Sequence, residues 1–215
     1  MCRCTRGRQG EAMTSNAPGR LAGISFAAAP LLLIVYGSVR LLAEGSKEPG
    51  AAWTAGHLAF LFGVLLFGAM CAGVYRMATA GAGPVRRRLA RAGFAAGLVG
   101  VAAAAAQALI DLYVGLRAAD KPEMRELFGQ VQDVPGVMPA VYTVGPLFLY
   151  LGMIILLATL TGRDAVRAQA LFVLGTAANA FSLDLLPLGG LCYLLAFAPL
   201  RRRTPPTATL PTRPA

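Results

Sequence analysis

Histidine occurs once in these 215 residues, at His57, and tryptophan once, at Trp53. A single imidazole excludes a bis-histidine haem pair and a histidine-rich metal cage built by one subunit. No cofactor is expected, and the residues name no metal. Gly-x-Ser-x-Gly, His-Glu-x-x-His, a Walker loop and Cys-x-x-Cys are all missing, so serine hydrolase, zincin, nucleotide-hydrolysing and thiol-redox chemistries lack their residues. The chain reads away from the familiar enzymes. Its four cysteines give no disulfide framework: Cys71 and Cys192 lie in apolar runs, and Cys2 and Cys4 in a tail expected in the reducing cytoplasm. Charge is scarce too. With 14% charged and 56% hydrophobic residues and a mean hydropathy of +0.60, the chain is too apolar for an ordinary soluble domain, and the bilayer is its expected solvent and partner.

The charge that is present is one-sided. The net charge of +10 is not spread with aromatics over a folded face, as a nucleic-acid surface requires, so no nucleic-acid partner is expected. Most Lys and Arg fall beside apolar runs: in the N-terminal tail, from Arg76 to Arg91, at Arg163 and Arg167, and from Arg201 onward. Six crossings put all of these on one side, the positive-inside pattern.

The stretch from Arg86 to Arg117 organises the rest. Arg86, Arg87, Arg88 and Arg91 precede a run from Ala92 to Ile110 that has no charge before Asp111, long enough to cross a bilayer. Gly93, Gly97, Gly100, Ala104, Gln107 and Asp111 fall on one stripe, where a neighbouring helix can approach closely. The predicted fold is all-α, a polytopic membrane helix bundle of six transmembrane helices. The alternative is five helices plus a re-entrant segment, because the last apolar stretch is interrupted by Asp184, Pro187, Gly189 and Gly190. Residues 1–20 read as a disordered basic cytoplasmic tail with no signal-peptide core, in which Met13 is an alternative start. Residues 21–200 read as the bundle, with spans near 21–42, 52–76, 89–117, 139–161, 168–183 and 187–200. Residues 201–215 read as a second disordered cytoplasmic tail. Pro30 is expected to kink the first span, and Trp53 to anchor the second at the outer interface. Between the third and fourth spans, Met124, Leu127, Phe128 and Val131 share one helical face. They predict a short helix that either lies on the membrane surface or caps the bundle mouth.

His57 and Leu58 open the second span, and Tyr75 and Arg76 close it. In this the chain resembles small six-helix integral membrane proteins of high-GC, actinobacterial-type bacteria, a resemblance that covers most of the chain and implies a membrane fold but no activity.

Helix rise places the polar groups in depth. Asp111 and Asp184 lie about 30 and about 25 Å beyond Arg91 and Arg167, while His57 is about 6 Å below Trp53. These groups share a level near the outer surface, with Arg40, Asn179 and Tyr142 as neighbours. If they converge, they form an outward-facing polar pocket that can carry protons or hold a cation or cationic substrate. If they do not, each reaches headgroup water alone. The first outcome points to a small transporter or permease-like subunit. The other function class is a non-catalytic membrane partner or assembly protein, acting with another membrane protein or a second copy of itself.

Overall fold

The computed structural model describes residues 17–201, with side chains from residue 21. Among these residues the chain is all-α. It comprises α1 (Ala17–Leu42), α2 (Ala51–Thr79), α3 (Pro84–Arg117), the short α4 (Lys121–Gln132), a π-helical turn (Met138–Thr143) running into α5 (Val144–Ala158), α6 (Arg163–Phe181), a 3-10 turn (Leu183–Leu185) and α7 (Leu186–Arg201). Most of the two expected tails lies outside the described residues. The parts that are described are helical: α1 begins at Ala17 and α7 runs through Arg201.

Local chemistry explains where the elements begin and end. Gly81 turns the chain with φ 61°, and Pro84 then starts α3 at a position that needs no backbone donor. Arg86 to Arg88 therefore belong to the first turns of a helix, not to the loop expected there. Pro30 is carried inside α1 without ending it. Between α6 and α7 the interruption falls at Ser182, in extended backbone with φ −156°, whose hydroxyl accepts the Asp184 N–H at 3.1 Å. The expected break at Pro187, Gly189 and Gly190 is corrected: all three lie within α7, where the proline occupies the first turn and the glycines serve close packing.

Among the described residues, five helical stretches are long and apolar enough to cross a membrane: Leu21–Leu42, Ala51–Thr79, Pro84–Arg117, Met138–Ala158 and Leu183–Arg201. The 19-residue α6 carries Arg163, Asp164 and Arg167 near its start, which lowers its apolarity, yet Val173, Leu174 and Phe181 project from it exposed. The six long helices form a closed ring in chain order, with α7 packed on both α6 and α1. Outward-facing Leu31, Phe62, Leu98, Leu109, Leu151 and Leu191 are exposed, the apolar exterior that lipid contact requires. Inside, Phe172 stacks on Tyr193 at 4.7 Å and Phe26 on Phe197 at 5.9 Å, within one buried cluster that also holds Met70, Met153, Leu156 and Leu157.

The tightest seam joins α3 to α5. A Cβ at Gly152 would collide with the backbone of Gly97, and one at Gly100 with the backbone of Leu149. At Gly93 a Cβ would stand 2.8 Å from Ile155. The small stripe of α3 is thus buried against α5 of the same chain, backbone on backbone. Similar glycine contacts set α7 on its neighbours: Gly190 faces the Pro30 carbonyl of α1, and Gly189 faces Asn179 of α6. Across the Asp111 end, α4 is capped by Asp120, which accepts the Glu123 N–H at 2.9 Å. Buried Met124 packs with Val114 and Ala118 of the α3 end, with Trp53 and Phe128 beside them, and Lys121 pairs with Glu48 at 3.2 Å. The helix thus rests on the α3 end and on Trp53.

Adding one methyl group at the seam should therefore be costly. Gly152→Ala and Gly100→Ala should each lower stability by about 2 kcal/mol or more. Gly97→Ala should cost less, its Cβ meeting the Cys71 Sγ at 3.2 Å, and lipid-facing Leu98→Ala should stay within about 0.5 kcal/mol. Thermal unfolding in detergent ranks the four, and equal midpoints would show that the seam does not limit stability.

Candidate functional site

Trp53, His57 and Asp111 are assembled by helix periodicity and one glycine. Trp53 and His57 stand four residues apart on the first turns of α2, one above the other, so the two rings stack with centroids 4.0 Å apart. On α3, Gly115 lies one turn beyond Asp111. A Cβ there would collide with the Trp53 indole, so the glycine admits the ring onto α3. The indole Nε1–H then donates to the Asp111 carbonyl at 2.9 Å. Trp53, expected at the outer interface, also clamps α2 to α3.

The clamp fixes the imidazole. His57 Nδ1 lies 2.9 Å from the Trp53 carbonyl, and because a carbonyl can only accept, Nδ1 carries the proton of that bond. Nε2 is left to face Asp111 Oδ2 at 3.7 Å, with side-chain exposures of 6% and 10%. The imidazole can gain its second proton only at Nε2, directly opposite a carboxylate. From the π-helical turn, Tyr142 donates its hydroxyl to the other Asp111 oxygen at 3.3 Å, and from α1, Tyr36 sets its ring edge-on to the imidazole at 5.3 Å. The π turn is what aims Tyr142, since the widened backbone re-orients a side chain that a regular helix would place elsewhere.

The other expected neighbours divide. Arg40 lines a small crevice with Tyr36, Trp53 and His57, but its ion pair, 3.8 Å long, is with Asp184. Asp184 belongs to the 3-10 turn and is more than half exposed, so it does not join the imidazole. Asn179 is buried elsewhere, donating to the Tyr193 hydroxyl at 3.2 Å, and that hydroxyl also bonds Thr176 at 3.0 Å. Gly93, Gly97, Gly100 and Ala104 form the packing seam and its continuation, below the polar groups. Among the described residues no three His, Cys, Asp or Glu side chains gather in a way that could hold a metal ion.

Sequence reasoning did not find the cavity beneath the pair. It has a volume of about 280 Å³ and is bounded by Tyr36 and Tyr142 at the His57 level and by Phe67 and Tyr150 deeper in. On α2 its lining runs from Phe60 to Phe67, seven residues of helix, so the cavity reaches about 10 Å along the bundle. Gln107, one turn before Asp111, lines it as well. The only signal was the position of Gln107 on the α3 stripe; the tyrosines come from three other helices whose rotation the sequence does not reveal.

With a single tryptophan in the chain, the site has a built-in reporter, because an imidazolium stacked on indole quenches its emission more than a neutral imidazole does. Trp53 fluorescence should fall as pH is lowered through the range in which His57 takes up its proton, and His57→Gln should remove that step. An identical titration in the variant would show that the stacked pair does not form.

Comparison of the chain with protein-family models, with curated proteins and with solved structures finds no match in any of the three.

Proposed function

We propose that this protein is a small permease-like carrier of the cell membrane, crossing six times with both termini cytoplasmic, which binds a proton at His57–Asp111 and a solute in the adjoining outward-facing pocket. One observation carries the reading. An imidazole and a carboxylate, both nearly buried, face each other at 3.7 Å directly above a cavity of about 280 Å³, in a bundle whose other buried polar side chains, Ser25, Thr159 and Asn179, carry no charge. Ionisable groups held inside a membrane bundle are costly, and they mark ion and substrate paths. The cavity occupies the half of the bundle near Asp111; toward the arginine end the centre is packed with Met70, Cys71, Val74, Met153 and Leu157, all buried, and the hollow there lies between α1 and α7, lined by Phe26, Ala27, Leu194, Ala198 and Arg201. A pocket closed on one side is one of the two states that alternating access needs.

The assembly-partner reading draws less support. Its strongest sequence feature, the small-residue stripe of α3, is already used against α5 within the chain.

Two measurements test the proposal. A reporter fused after Arg203 should signal cytoplasm, as the clustering of arginines at one end requires; a periplasmic signal would remove the six-crossing topology. In proteoliposomes holding a pH dye, small neutral alcohols and amides should drive proton entry, and Asp111→Asn should reduce it by at least about tenfold without loss of folded protein. Absence of flux from the wild type, together with recovery of a stoichiometric membrane partner, would favour the assembly role.

A further inference from the structure

Gln107 and Tyr150 hold polar groups that the protein itself leaves unmatched. Both line the cavity, and among the described residues neither side chain makes a hydrogen bond. Unlike the enclosed unpaired atoms Arg40 Nε and Asn179 Oδ1, these groups open onto the cavity, so their partner must be whatever fills it, and lipid tails offer none. The amide of Gln107 supplies both donors and an acceptor, and the Tyr150 hydroxyl can do either. A third polar group is loosely held: Tyr142 lines the same cavity while its hydroxyl reaches Asp111 across 3.3 Å, long for an O–H···O bond.

The walls define the ligand by what they lack. No charged side chain lines the cavity; the remainder is aliphatic and aromatic, including Phe60, Phe67 and Leu149. A charged ligand would be desolvated with no counter-ion against it. A lipid acyl chain has nothing to offer Gln107 or Tyr150. The volume of about 280 Å³ is at the lower end for small-molecule sites, the size of a single-ring compound.

We infer that this cavity binds a small neutral molecule with an apolar ring body and one or two uncharged hydrogen-bonding groups, a simple alcohol, phenol or amide, held by Gln107 and Tyr150 and sensed by Tyr142. The inference deepens the carrier reading and rests on it for the purpose of binding. A ligand oxygen that takes the Tyr142 hydroxyl withdraws it from Asp111, which links occupancy of the cavity to the state of the His57–Asp111 pair.

Tritiated benzyl alcohol is the probe, measured at equilibrium on the full-length protein in nanodiscs with empty nanodiscs subtracted. Benzoate and benzylammonium, of the same size but charged, are the competitors. The expected result is a saturable component of one site per chain that neither ion displaces. Gln107→Leu should weaken it about tenfold, as loss of hydrogen bonding to a buried ligand group does. Ala104→Leu, which fills the cavity, should abolish it, while lipid-facing Leu98→Ala should leave it unchanged. Should Ala104→Leu not fold, Gln107→Leu decides alone. The inference is overturned by the absence of a saturable component, by equal competition from the ions, by undiminished binding in Gln107→Leu, or by a co-purifying acyl chain found in the cavity. Because no gradient is applied, binding without flux sinks only the carrier reading, and flux without benzyl alcohol binding sinks only the ligand class.

Discussion

Everything at the polar end depends on how closely α5 lies against α3. Without glycine at 93, 100 and 152 the two backbones could not touch, and the π-helical turn that precedes α5 would stand further from Asp111. In a membrane such contact is a main source of helix association, because lipid tails are as apolar as leucine and there is little to gain by hiding leucine from them. The seam therefore holds the fold and aims the site together. It delivers Tyr142 to Asp111 in the same way that Gly115 delivers Trp53.

The sequence revealed depth well and rotation poorly, for a physical reason. Depth follows from a fixed rise per residue and from arginines that mark one membrane edge, so His57 and Asp111 could be set at one level before any contact was known. Rotation about each helix axis depends on packing with neighbours, which apolar stretches encode only weakly. The small stripe of α3 was the exception, since glycine spacing reports directly which face can be approached. Asp184 was placed at a suitable depth but left the group, because the chain breaks at Ser182 and presents the carboxylate to Arg40 on a 3-10 turn. Asn179 was turned toward Tyr193. The extra π turn that aims Tyr142 has no reliable sequence signature, and a cavity built from side chains of several helices cannot be read from any one of them.

Gly189 and Gly190 show how one residue type can be misread. In water-soluble chains a Gly-Gly pair after a proline interrupts a helix, and a break was expected here. Within a bundle the same pair stays helical and brings backbones together, with Gly190 against α1 and Gly189 against Asn179. The actual break, about two turns earlier, uses serine: a hydroxyl that captures the Asp184 N–H competes with the helix more effectively than glycine does when lipid offers no alternative partner.

The tight seam and the hollow beside it are two consequences of one arrangement. A helix drawn onto α3 is drawn away from α7, and α5 indeed makes little contact with α7. At the arginine end, bulky Met153, Leu156 and Leu157 of α5 span the remaining distance and join Phe172 and Phe197 in one buried cluster. Toward Asp111 the facing residues are Tyr150, Pro146 and Tyr142 on one side and Leu183, Leu186 and Tyr193 on the other, and they leave a void. Tyr150 and Tyr142 bring hydroxyls to space that apolar side chains would otherwise fill, while Tyr193 commits its hydroxyl to Thr176 and Asn179, so the void is polar-edged and adjoins the carboxylate that Tyr142 holds. A core selected for stability alone would have closed it with leucine or phenylalanine, as Leu156, Leu157, Phe172 and Phe197 close the space one turn and more along the same helices. The contrast between the tight α3–α5 seam and the hollow beside Asp111 is the feature on which the proposed function rests.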